Sequence, residues 1–205
     1  MAKIKLTKGE MKKQRDALKQ FRRYLPTLQL KKQQLQMKIL EARKVLSDRE
    51  RVMNENAQSI EQWCGVMGEQ GVGFEEWIKP KEIITGKMNI AGANVPVFKE
   101  VIFNLAEYDY YSTPFWVDKG IEILRMYISS KVEVEIVKKQ ISILQKELRT
   151  TTQRVNLFEK IKIPECLDNI RKIGIYLGDQ QANAVGVSKV AKRKVDAKNL
   201  ETALV

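Results

Sequence analysis

The chain has 205 residues, 43% of them hydrophobic, and carries 37 Lys/Arg against 25 Asp/Glu for a formal net charge of +12, with no histidine at all. Lacking histidine, it lacks the commonest general base and metal ligand, which removes Ser-His-Asp chemistry, a His-ligated zinc hydrolase and a His-based switch. There is no run of about 18 apolar residues to span a membrane, and Met1 to Glu10 lacks the apolar core of a signal peptide, so a cytosolic protein is expected.

The charge is uneven. Residues 1–60 hold sixteen Lys/Arg against six Asp/Glu, residues 61–131 seven against ten, and residues 132–205 fourteen against nine. Both ends are basic and the middle is mildly acidic. A basic end suits nucleic acid, anionic lipid or an acidic protein socket. Cys64 and Cys166 belong to no CxxC pair and read as two reduced thiols.

Thr7-Lys-Gly-Glu10 is a capping-box pattern and opens the first helix. Counting by sevens from Met11 gives Met11, Leu18, Leu25, Lys32, Ile39, Leu46, Met53 and Ile60. The matching d series is Gln14, Phe21, Leu28, Leu35, Ala42, Arg49, Asn56 and Trp63. Such a sustained apolar seam predicts a helix wound on a partner helix over residues 1–63. Pro26 interrupts it and predicts a bend within one helix.

Composition changes at Gly65, and a small head is expected over residues 64–113. Residues 82–85 and 95–103 favour strand, and Gly92-Ala93-Asn94 has turn chemistry, which predicts a short β-hairpin. Phe74, Trp77, Phe98, Phe103 and Trp116 are expected to pack a small core, with Tyr108, Tyr110 and Tyr111 at its edge. Glu107 and Asp109 would repel phosphates there, which argues against a base-stacking platform.

A second long helix is expected over residues 114–180. Tyr127, Val134, Ile141, Leu148 and Val155 recur every seven, with Val137, Leu144 and Phe158 at d. Pro164 should bend this helix. The apolar spacing resumes at Leu167, Ile170, Ile173 and Leu177, and Gly178-Asp179 should end or loosen it. Residues 181–205 read as a basic tail, weakly helical at most. The fold class is thus mainly α: a long antiparallel two-helix coiled-coil hairpin with a small insert holding a short β-hairpin. Its seam is carried by Leu18, Leu25, Leu28, Ile39, Leu46, Ile141, Leu144, Leu148, Val155 and Phe158. Setting Ile60 against Ile121 pairs positions whose numbers add to about 181. That places Glu159 near Arg22 and Arg23, and Phe158 near Leu25.

No residue is assigned a catalytic, cofactor-binding or metal-ligating role. Gly86-Lys87 is followed by Met88, and Lys81 stands where a phosphate loop needs glycine. Gly71-Val-Gly73 lacks the third glycine of a dinucleotide site. Glu75-Glu76 and Glu133/Glu135 read as solvated faces. Lys192-Arg193-Lys194 has the look of a nucleic-acid patch, but such runs are commonly plain solvated charge.

Arg154 to Glu165, RVNLFEKIKIPE, resembles the D subunit of the rotary V-type ATPases. The match lies at Arg154, Val155, Asn156, Phe158, Glu159 and Pro164, with Leu157 where alanine is common. IYLGDQ at 175–180 and YLPTLQLKKQQL at 24–35 are similar to a bacterial branch of that family. The resemblance covers nearly the whole chain. It implies a central rotor shaft without catalytic residues or cofactors, peripheral on the cytoplasmic face of a membrane. Implied partners are the ring of catalytic and nucleotide-binding subunits, the small F subunit of the stalk and a funnel-shaped adaptor to the membrane rotor. Direct membrane insertion and nucleic-acid binding are not expected. Candidates for ring contact are Lys12, Lys13, Arg15, Lys19, Arg22, Arg23, Lys192, Arg193 and Lys194. The competing readings are the γ shaft of F-type enzymes, whose insert is larger, and a basic coiled-coil adaptor for nucleic acid or another protein assembly.

Overall fold

The computed structural model describes residues 4–62, 65, 75–106, 109, 111 and 113–203. Expectations for Trp63, Cys64, Gly71, Gly73, Phe74, Glu107, Tyr108 and Tyr110 lie outside them. The elements are α1 (Lys8–Glu61), α2 (Glu75–Ile78), β1 (Pro80–Ile90), β2 (Ala93–Phe103), α3 (Val117–Asn156), a π-helical turn (Leu157–Lys162) and α4 (Ile163–Ala203). The chain divides into two compact units, Met1–Gln29 with Gln153–Val205, and Leu30–Thr152.

Helix α1 begins where Thr7 supplies an acceptor: its Oγ1 takes the Glu10 amide at 3.3 Å. The reciprocal half of a capping box is absent. Thr7 gives its own amide to the Lys5 carbonyl at 3.0 Å, and the Glu10 carboxylate instead accepts Gln14 Nε2 at 3.0 Å. The helix runs unbroken through Pro26, and beside it Thr27 Oγ1 donates to the Tyr24 carbonyl at 2.8 Å.

In the first unit, Met11, Gln14, Leu18, Phe21, Leu25 and Leu28 on α1 are half-buried, while the charged positions between them are exposed. Val155, Cys166, Asn169 and Ile173 are buried on the C-terminal side. Phe158 stacks on Phe21 with ring centroids 5.1 Å apart, one turn before the expected Leu25. No ion pair within 4.0 Å joins Glu159 to Arg22 or Arg23 among the described residues.

Behind Phe158 the expected burial is corrected. Leu167 is exposed and Cys166 is buried in its place. Cys166 and Ile173 fall one residue later than sevens counted from Phe158, and half-buried Ile170 and Leu177 one later than sevens counted from Val155. The cause is the π-turn, in which the Ile163 amide reaches back five residues to the Phe158 carbonyl. It absorbs one extra residue and re-phases the seam. Gly178 does not end the helix either. Its backbone has no positive φ, the conformation that makes glycine a terminator, and α4 continues through Gly178 and Gly186 to Ala203. Residues 181–203, expected as a weakly structured tail, are helical.

In the second unit the core is aliphatic. Leu35, Ile39 and Leu144 from the helices close on Ala93 and Val95 at the start of β2, flanked by Ile90, Ala91, Ile143 and Leu148. This corrects the expected aromatic core: Trp77, Phe98, Phe103 and Trp116 are only half-buried. A two-stranded ribbon has no second layer of its own, so its tip is laid on the helical seam. Gln140 Nε2 ties it down through the Pro96 carbonyl. Farther along, Ile141, Val134 and Val137 are buried on α3, and Leu46 and Leu148 are half-buried. Arg49, an exception at a d position, reaches Glu133 at 3.1 Å, and Lys138 reaches Glu50 at 2.8 Å. Asn56 Nδ2 donates to Ser130 Oγ at 2.8 Å.

The hairpin turn is also one step earlier than expected. It is Ala91-Gly92, with φ of 51° and 82°, while Ala93 is paired with Ile90. Positive φ at both loop residues is the geometry that two-residue hairpins prefer. Asn89 shapes the turn: its Oδ1 accepts the Gly92 amide at 3.0 Å and its Nδ2 donates to Asn94 Oδ1 at 2.8 Å. A side chain in left-handed backbone costs about 1 kcal/mol or more. Ala91→Gly is therefore expected to raise stability by roughly 0.5–1 kcal/mol, read as a higher urea midpoint. An unchanged or lower midpoint would show that Ala91's contact with the core outweighs its backbone.

Candidate interaction surfaces

Among the described residues no group of three or more His, Cys, Asp or Glu could hold a metal ion, and no helix is long and apolar enough to cross a membrane. A hollow of about 720 Å³ in the first unit is lined by Lys5, Lys160 and Lys172 opposite Glu10, Glu165 and Asp168. The three charges of each sign balance, so it carries no net charge. The neighbouring Cys166 thiol is pushed up by burial and by the Glu165 carboxylate, with Lys162 opposing. It stays protonated near neutrality and is a poor nucleophile.

The basic candidates stand on two stretches of the same unit. Lys12, Lys13, Arg15, Lys19, Arg22 and Arg23 are all exposed on the outer faces of α1. Lys12, Lys13, Lys19 and Arg23 take the outward b, c and f positions of the heptad, and Arg15 and Arg22 the flanking e positions. Lys8 shares a hollow with Leu177, Gln180, Gln181 and Ala184, so the start of α1 lies beside that stretch of α4. Lys192, Arg193 and Lys194 lie beyond it, also exposed. Near them is a shallow face of small residues, Ala182, Gly186 and Ala191, with Val187 and Val190 left 70% and 53% exposed. The charges there stand out in the sequence, whereas the valines do not.

The motif from Arg154 to Pro164 coincides with the π-turn. Val155 is buried, Phe158 is the half-buried ring on Phe21, and Arg154, Asn156, Glu159 and Pro164 face solvent.

The second unit carries a surface that sequence reasoning missed. Leu105, Tyr111 and Phe115 are 88%, 101% and 102% exposed. Arg125 organises the backbone next to them. Its Nε and Nη2 donate to the Trp77 carbonyl at 3.1 and 2.9 Å, its Nη2 also to the Asn104 carbonyl at 2.6 Å, and its guanidinium lies 5.4 Å from the Phe103 ring centroid. Asp118 and Glu122 rim the adjoining hollow. Glu75 and Glu76 are exposed on α2. Apolar and acidic exposure here contrasts with the cationic faces of the first unit.

Comparison with known proteins gives one consistent result. The family model described as the D subunit of ATP synthase matches residues 10–193. A V-type ATP synthase D subunit from Borreliella burgdorferi is 48% identical over 199 residues, covering 97% of this chain and 98% of that one. Those from Chlamydia felis and Chlamydia muridarum are 33% and 35% identical, covering 97% and 94% of this chain and 97% and 96% of theirs.

Proposed function

This chain belongs to the ATP synthase D-subunit family, and we propose that it is the central rotor shaft of a V-type ATPase or ATP synthase, coupling catalysis in a surrounding ring to rotation and ion transport. The observation that carries the reading is the pair of long helices with a shielded apolar seam and charged outer faces. Coiled helices resist twisting, which a torque-bearing element requires. The outer faces slide better than an apolar surface would, because exposed ion pairs are individually weak, about 0–1 kcal/mol each.

In this reading the chain is not itself a catalyst. The exposed basic residues of the first unit face the ring of catalytic and nucleotide-binding subunits. The insert, with Leu105, Tyr111 and Phe115, faces the adaptor to the membrane rotor, and the small F subunit attaches along the stalk. The assembly is then peripheral on the cytoplasmic face of its membrane.

Purification of the tagged chain from its own cells tests this. Catalytic ATPase subunits should copurify in fixed ratio and survive moderate salt. The chain stripped of them should hydrolyse no ATP. Robust hydrolysis by a preparation free of other subunits would sink the shaft reading. Nucleic acid retained at high salt in place of ATPase subunits would favour the adaptor alternative, since plain phosphate contacts weaken steeply with salt.

A further inference from the structure

The backbone ladder can be followed bond by bond through the π-turn. The Ile163 amide donates to the Phe158 carbonyl; in an α-helix it would reach Glu159. The next residue is Pro164, which has no N–H. The Glu159 carbonyl therefore loses its four-residue donor to Phe158 and its five-residue donor to proline. The Lys160 carbonyl loses its four-residue donor as well. Glu159 and Lys160 are exposed, and no residue of the turn is buried. The segments on either side are pinned: Val155 is 4% exposed, Cys166 5% and Ile173 0%. Pro26 makes the contrast: there the helix stays α.

We infer that residues 157–164 form a compliance hinge, the one turn where the C-terminal helix opens and twists first between two pinned segments. Deformation concentrates there because fewer ladder bonds oppose it and only half-buried side chains, Phe158 on Phe21 among them, hold it, against fully buried ones on either side. Use of the hinge as a torsional spring rests on the shaft reading above; the hinge itself does not.

Hydrogen exchange on the full-length chain tests it. Amides of Ile161, Lys162, Ile163 and Glu165 should exchange about tenfold or more faster than those of residues 141–148 on α3. Pro164→Ala returns a donor to the ladder and should slow the same amides by about tenfold, leaving residues 141–148 unchanged. Equal protection of the two segments in the natural chain overturns the hinge, and this arm needs no variant to fold. A folded Pro164→Ala chain with unaltered exchange overturns it as well. In the assembled enzyme, Pro164→Ala should narrow the angular fluctuation of a bead on the shaft, and an unchanged width removes the spring role. Failure of the natural chain to enter any ATPase complex would count against the shaft reading and leave the exchange result standing.

Discussion

Leu144→Ala is expected to destabilise the protein by about 2–5 kcal/mol, the range for truncating a fully packed leucine. Leu144 is 1% exposed and meets Leu35, Ile39, Ala93 and Val95 in the core of the second unit. Two other elements, α1 and β2, converge on this side chain of α3, so the cavity cannot be closed by moving one of them. The damage should also have a direction. Val95 and Ala93 hold the hairpin tip to the helices, so the strands should lose protection before α1 and α3 unwind. Urea unfolding followed by helical circular dichroism gives the stability change, and exchange at residues 93–97 reports the hairpin. Leu105→Ala is the control. That side chain is 88% exposed, and its loss should stay within about 0.5 kcal/mol. Similar losses for both variants would mean that the cluster is not the core of the unit.

Much of the fold was legible because a coiled-coil seam writes itself into sequence with a period of seven. From Met11 to Leu28 the positions counted by sevens are all half-buried, and the insert announced itself by glycine, proline and β-branched residues. What was misread had local physical causes. Gly92 and Asn94 are both turn formers, so the turn was set between them. The structure instead places φ of 51° on Ala91, which no propensity would select, and buries Ala93. At the π-turn, Pro164 marked an irregularity but not its kind. The trace of the turn itself is a phase slip: Ile170, Ile173 and Leu177 cannot be reached by sevens from Val155 and Phe158 without adding one residue. Gly178 was weighed as a terminator from its identity alone, whereas termination depends on its φ.

The interaction surfaces were legible only where they are charged. Runs such as Lys12-Lys13 and Lys192-Arg193-Lys194 stand out in any count. Tyr111 was expected only at the edge of a small core and Leu105 and Phe115 carry no pattern of their own, so it is their exposure in the folded insert that sets all three apart. The acidic count of residues 61–131 gave half of that surface and the fold supplies the other half.

Reversing Lys12, Lys13 and Arg15 together to glutamate is expected to weaken assembly with the catalytic ring by roughly tenfold or more at low salt, with a smaller effect at high salt where exposed charges are screened. All three are exposed on α1, and none makes an ion pair within 4.0 Å among the described residues. Their removal therefore breaks no ion pair among the described residues of the unit. The Lys12→Glu change sets a carboxylate four residues before Asp16, and Lys13→Glu sets one three residues from both Glu10 and Asp16, like-charge spacings that each cost a helix only about 0.2–0.5 kcal/mol. Helical content should thus be preserved while assembly falls. Single reversals are expected to show little, since each exposed contact contributes about 0–1 kcal/mol. The competing view is that these charges only keep a long basic chain soluble. It predicts unchanged assembly, unchanged salt dependence and unchanged ATP-driven rotation from the triple variant, and that combined result would remove α1's basic face from the ring interface.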